Sequence, residues 1–223
     1  MGDLVVREPE NEMSEQIEPG NYQGVCHRYV DLGTHHVDYT YEGKHIVGDY
    51  HKVQITWEIP DERIEIVKNG EPLDLPRVIS KEYNLTLGKK SNLRKDLQSW
   101  RGRDFTKTEL EGFSLKNILK ANAVVNILHN DKGYAYVAAV TPLMKNMKKK
   151  EPENPVVGFS IANDGFDDMP ELPEWIENKI KDSLEYEAYE EKPTGSYEPE
   201  SPDPNTEYGD PGYGEAEEDK IPF

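Results

Sequence analysis

Tyr50-His51-Lys52-Val53-Gln54-Ile55-Thr56-Trp57-Glu58-Ile59 alternates without a break. Val53, Ile55, Trp57 and Ile59 fall on one side of an extended chain; Tyr50, Lys52, Gln54, Thr56 and Glu58 fall on the other. This period of two predicts a half-buried strand, apolar inside and polar outside. Upstream, residues 25–32 mix β-branched and aromatic side chains and read as a strand. The polar stretch 33–49, with its Tyr and His residues, reads as a loop between the two. Residues 64–67 ahead of Asn69-Gly70 start a hairpin, and a third strand runs over about 78–87.

The period then changes. Leu93, Leu97 and Trp100 recur at i, i+4 and i+7, with Ser91 placed to cap the helix and Gly102 to stop it. Thr106 and Glu109 have the spacing of a capping box. Leu115, Ile118 and Leu119 mark another short helical turn. Two strands follow, 123–129 and 134–140, joined by a loop whose Gly133 supplies a positive φ. Three strands, a helix and two strands is the order of an OB-fold, a five-stranded Greek-key barrel that often binds oligonucleotides. An SH3-like barrel and an irregular α+β sheet remain alternatives.

Past Pro142 lies a basic linker with Lys145, Lys148, Lys149 and Lys150. Leu172, Ile176, Ile180 and Leu184 then form one helical stripe, with Pro173 in its first turn and Trp175 beside it. From about Glu185 the chain is rich in Glu, Pro, Tyr, Gly and Ser and cannot bury enough apolar surface to fold. The expected organisation is a flexible acidic arm over 1–19, an OB-like domain over 20–145, a linker and helical extension over 146–186, and a disordered acidic tail over 187–223.

Charge is divided along the same lines. Residues 1–150 hold 22 Lys+Arg and 22 Asp+Glu, whereas residues 151–223 hold 4 against 22, so the net charge of −18 sits in the last third. Residues 20–150 carry 21 basic and 16 acidic groups. A mildly basic body with a detached acidic tail suits a nucleic-acid binder whose tail serves other proteins. Acidic tails that only aid solubility have the same composition. One cysteine, Cys26, excludes a disulfide framework. The first residues lack a basic region and a long apolar run, so no signal peptide or membrane span is expected and the cytoplasm of a host cell is the default location.

Residues 77–107 hold nine cations, Arg77, Lys81, Lys89, Lys90, Arg94, Lys95, Arg101, Arg103 and Lys107, against three acids. Single-stranded DNA is held by cations along its phosphates and by rings stacked on its bases. Lys52 joins the cations through the polar face of its strand, and Tyr29, Tyr50, Tyr83 and Tyr134 are the candidate stacking rings. Trp57 and Trp100 complete apolar patterns and are assigned to the core.

Catalytic patterns are thin. Gly88-Lys89-Lys90-Ser91 lacks the upstream glycine of a P-loop and has Lys90 where Ser or Thr should stand. Glu42-Gly43-Lys44 with Asp31 upstream has the form of some nuclease motifs. His35, His36, His45 and His51 could ligate a metal with Cys26, but no second Cys supports that, so no metal or other cofactor is expected.

Several segments together resemble a family of phage replication-region proteins associated with single-stranded-DNA binding. They are Val30-Asp31-Leu32-Gly33, Trp57-Glu58-Ile59-Pro60, Pro76-Arg77-Val78-Ile79-Ser80-Lys81, Lys90-Ser91-Asn92-Leu93-Arg94-Lys95-Asp96-Leu97, Trp100-Arg101-Gly102-Arg103 and Leu172-Pro173-Glu174-Trp175. Separately, Glu217-Glu218-Asp219-Lys220-Ile221-Pro222-Phe223 resembles the C-terminal tip of bacterial and phage single-stranded-DNA-binding proteins. The resemblances imply a non-catalytic protein that coats unpaired DNA. It would recruit replication or recombination proteins through Asp219, Ile221, Pro222 and Phe223, with homo-oligomers left open. A small nuclease using Asp31, Glu42 and Lys44, and an acidic DNA mimic, are the competing classes.

Overall fold

The computed structural model describes residues 16–191 except positions 42 and 69. These residues fall within one compact unit. The expectations for the tail, the docking tip, Glu42 and most of the N-terminal arm lie outside them.

The molecule is mainly β. Strands β1 (Gly20–Tyr41), β2 (Lys44–Lys68) and β3 (Glu71–Asn84) are followed by helices α1 (Asn92–Arg101) and α2 (Lys107–Glu111) and a 3-10 turn (Leu115–Ile118). Then come β4 (Asn122–His129), β5 (Ala135–Pro142), β6 (Val157–Phe159), α3 (Ile161–Asp164), α4 (Glu174–Lys181) and α5 (Leu184–Glu190). The hydrogen-bonded path runs β3-β2-β1-β4-β5, and the short β6 lies parallel to β1 on the edge it shares with β4. All other pairings are antiparallel. β3 and β5, at the two ends of the path, approach within 8 Å between Cα atoms, but no ladder joins them among the described residues. The sheet is therefore open and has six strands, where the sequence predicts five in a closed barrel.

The apolar side of the 50–59 alternation faces the main core. Val53, Ile55, Trp57 and Ile59 meet Ile79 and Tyr83 of β3, Val125 and Ile127 of β4, and Leu93, Leu97 and Trp100 of α1. Trp57 and Trp100 pack with ring centroids 5.7 Å apart, and Trp100 Nε1 donates to the Asn122 carbonyl at 2.9 Å. The helix ends behave as their residues dictate. Ser91 accepts from the Arg94 amide, Gly102 stops α1 at φ 64°, and Thr106 and Glu109 form a complete capping box. In β1 an extra residue between Cys26 and Arg28 shifts the side-chain parity. Cys26 and Tyr29, three apart, consequently face the same core.

Three expectations are corrected. Residues 33–49 are not a loop: Gly33–Tyr41 pairs with Lys44–Lys52 as a long two-stranded arm. A second arm forms where residues 63–68 pair with 71–76. The arms show no alternation because neither face of their outer parts is buried against a core. Next, the polar side of β2 is covered rather than solvated: Gln54, Thr56 and Glu58 are all buried. The cover is the extension after residue 146. The Glu58 carboxylate accepts from the amides of Glu153 and Asn154 and from Asn154 Nδ2, at 2.7–3.1 Å. Phe159, Leu172, Ile176 and Ile180 pack on Val30 and Leu32 as a second core.

The third correction concerns the ends. The Leu172–Leu184 stripe is two helices rather than one. Ser183 breaks it and caps α5, which leaves Leu184 exposed. Pro173 is the N-cap of α4 rather than a residue of its first turn. Gly33 is required at the docking point of α5: its φ is +77°, and a Cβ there would lie 2.5 Å from the Cβ of Ser183. α5 carries regular structure to Glu190, past the expected start of disorder. Near the other end, Ile17 is buried and its carbonyl accepts from His129 Nε2 at 2.8 Å, so the flexible arm does not extend to 19.

Two outcomes follow from this packing. Trp57→Ala, which empties a fully buried site, should lower unfolding free energy by about 3–5 kcal/mol in urea titrations. Glu109 is held at about 2, below the ordinary 4.5, by hydrogen bonds from Arg103, the Thr106 amide and Arg101. Because its folded value is depressed, its contribution is present above pH 4.5 and is lost as pH falls toward about 2. Glu109→Gln should therefore flatten the acid-unfolding profile in that window and leave the neutral-to-alkaline side unchanged in slope.

Candidate nucleic-acid interface

The site is built where β3 ends against the root of the β1–β2 arm. Lys52 pairs with Gly33 on one side and Asn84 on the other. The chain leaving β3 is stapled back: the Leu85 amide donates to the His51 carbonyl at 2.7 Å, and Ser91 Oγ to the Thr86 carbonyl at 2.5 Å. Arg94 Nη1 donates to the Leu87 carbonyl at 3.1 Å. A tight turn results, with Lys89 and Lys90 exposed on it. Beneath it lies a concavity of about 390 Å³ lined by Lys52, Glu82, Tyr83, Asn84, Lys90 and Asn92.

The nine cations of 77–107 do not act as one surface. Lys89, Lys90, Lys95 and Lys107 are exposed, and none has an ion pair among the described residues. Lys52, half-buried, is likewise free of one. Lys81 is tied to Asp96 at 2.8 Å. The Arg101 guanidinium stacks on Phe105 and Phe113 at 4.4 and 5.0 Å and pairs with Glu109. Arg103 holds the same carboxylate through two nitrogens, at 2.8 and 3.1 Å. These three cations neutralise the protein's own acids. Arg77 is half-buried on the first half of β3, away from the turn, and its Nε donates to the Arg63 carbonyl.

The rings divide similarly. Tyr29 and Tyr83 are 5% and 4% exposed and belong to the core, so neither offers an open face to a base. Burial, then the neighbouring Asp96, pushes the Tyr83 hydroxyl well above its ordinary value, and that hydroxyl donates to Asp96 at 2.9 Å. Tyr50 is half-buried on the arm beside Lys52, opposite His35, and remains a candidate. Tyr134 is 50% exposed but lies by the β4–β5 turn. That turn adjoins the Gly20 end of β1, whereas the arm springs from Gly33. The structure thus brings Lys52 and Lys90 to one concavity, with Tyr50 two residues from Lys52, Lys89 beside Lys90 and Arg94 tied to the same turn; Lys95 follows in the first turn of α1, Lys107 opens α2, and Arg77 and Tyr134 lie elsewhere. Sequence reasoning missed Asn84 and Asn92 of the concavity, whose side chains are placed by the bend after β3.

A polar knot sits at the same root. His51 Nε2 donates to Asp31 at 2.6 Å, while its Nδ1 lies 3.3 Å from Thr34 Oγ1 and 3.5 Å from Glu185. Thr34 donates to Glu185 through both its amide and its hydroxyl, each at 2.6 Å. Burial raises the Glu185 carboxyl, but the two Thr34 bonds and the nearby His51 outweigh it and hold the group below its ordinary value. This knot fastens α5 to β1.

The competing sites come apart. Asp31 is spent on the amides of Gly33 and Ile161 and on His51. Lys44 lies opposite Tyr41 at the far end of the arm, about ten residues of strand from the Val53 that faces Asp31, roughly 30 Å. His36 and His45 each pair with one aspartate along the arm, Asp49 and Asp38. Cys26 is fully buried, its thiol pushed up to about 12 by burial. Among the described residues no group of three such side chains is placed to hold a metal, and no helix is long and apolar enough to cross a membrane. Comparison with family models, with curated proteins and with solved structures returns no match.

Proposed function

We propose that this chain binds single-stranded DNA without catalysis and with little sequence preference, in phage replication or recombination inside a host cell. The observation that carries the reading is the group Lys52, Lys89, Lys90 and Lys95, unpaired among the described residues at the root of the Tyr50 arm. Cations not consumed by internal acids are the ones that can track phosphates. The strand path β3-β2-β1-β4-β5 with α1 between β3 and β4 supports an OB-like reading of the fold, in which the gap between β3 and β5 is the unzipped seam of the barrel. The stretch 192–223 carries nine acids and two lysines. Its charge repels phosphate, so in this reading it serves replication or recombination proteins, with Asp219, Ile221, Pro222 and Phe223 as the docking residues.

The test is anisotropy of labelled oligo-dT over a range of salt. Log K should fall linearly with log salt, and reversing Lys89, Lys90 and Lys95 to Glu together should flatten the slope by about 2, at 0.7 per phosphate. Arg103→Ala and Lys81→Ala should leave the slope unchanged. Equal affinity for duplex of the same length, or a native slope in the triple variant, would sink the reading.

A further inference from the structure

The extension covers the outer face of the sheet over β1 and β2, but the cover stops short at β3. A groove of about 560 Å³ remains between Arg77, Val78 and Ser80 on one wall and Pro173 and Trp175 on the other, with Arg28 also lining it. Among the described residues no carboxylate lines it, in a chain of net charge −18. No described residue pairs with the Arg28 guanidinium, and its Nε is buried without a hydrogen-bond partner. Arg28 as a whole is half-buried, and an anion in the groove would complete its unpaired guanidinium. Trp175 is 54% exposed, although α4 already docks through Ile176 and Ile180 on its other side. The ring adds little to that packing and presents itself to the groove. Val78 on the opposite wall is 45% exposed.

We infer that this groove is a stacking site for an unpaired nucleobase of single-stranded DNA, held against Trp175, with a flanking phosphate on Arg28. The inference rests on the single-strand reading above and adds a second contact zone, along the sheet from the lysine turn. The polar side chains lining the groove are already engaged. Ser80 bonds Thr56, Asn154 donates to Glu58, and Gln16 accepts from the Ala135 amide. The groove therefore takes a ring face and a charge rather than a base edge, which gives tolerance of sequence.

Of the three tryptophans, Trp57 and Trp100 are 1% and 6% exposed, so a change in intrinsic emission on adding oligo-dT reports Trp175. The full chain should show quenching that saturates together with the anisotropy of labelled oligo-dT. Trp175→Phe should abolish the quenching and keep affinity within about threefold, whereas Trp175→Ala should weaken binding about tenfold or more. Arg28→Gln should reduce the salt slope by about 0.7. Quenching that persists in Trp175→Phe, or native affinity in Trp175→Ala, overturns the groove while anisotropy still reports binding. A native chain that binds no oligo-dT at all overturns the single-strand reading itself. Thymidine monophosphate quenching with the affinity of the oligomer would make this a mononucleotide pocket and overturn the strand assignment.

Discussion

A carboxylate with no water around it must find its hydrogen bonds in the protein, and Glu58 finds them 95 residues away. It stands in the middle of β2, on the face opposite Trp57, and is fully buried. The amides of Glu153 and Asn154 and the Asn154 side chain supply its donors. That clamp fixes where the extension crosses the sheet. β6 then aligns on β1, the second core forms over Val30 and Leu32, and Ser183 reaches Gly33. Lys179 of α4 adds an ion pair to Glu82 of β3. Without the clamp, the buried polar face of β2 would have no reason to leave water.

This arrangement shapes what the surface can offer to DNA. In a barrel of this order the outer face of the second and third strands would be the natural bed for an oligonucleotide. Here most of that bed lies under the extension. Under the proposed reading, contact with DNA falls to the margins: the lysine turn at the root of one arm, and the strip along β3 that the cover does not reach. Within 77–107, the exposed cations without an ion pair among the described residues, Lys89, Lys90, Lys95 and Lys107, sit on a turn or in a first helical turn. Those with acids in reach, Lys81, Arg101 and Arg103, stabilise the fold instead.

Much of this was legible from local pattern. The 50–59 alternation marks the inner face of β2, and the i, i+4, i+7 stripe marks α1 with its caps at Ser91 and Gly102. Both depend on neighbours close in sequence. The errors come from partners far away. Gln54, Thr56 and Glu58 look solvent-facing because the segment that buries them lies about a hundred residues on. Residues 33–49 look like a loop because a ribbon without a core beneath it has no hydrophobic period. Tyr83 looks available for stacking until Asp96 on α1 takes its hydroxyl. The division of the cations depends on acids such as Glu109, whose pairing is set by a cap and not by spacing.

The parallel pairing of β6 with β1 has a consequence for how the chain is made. Arg28 waits for Val157, and Gly20 waits for Ile127, so β1 cannot complete either partnership on that edge until more than a hundred further residues exist. At about 5–20 residues per second, the outer face of β2 stays wet for roughly 5–20 s after Glu58 leaves the ribosome. During that interval Val30 and Leu32 are exposed beside an unpaired edge. High contact order of this kind makes folding slow and leaves the nascent sheet open to chaperones or to a second chain. The acids of the extension and tail arrive last, so a half-made chain, with 22 basic and 22 acidic groups over residues 1–150, has no net charge to hold it apart from another.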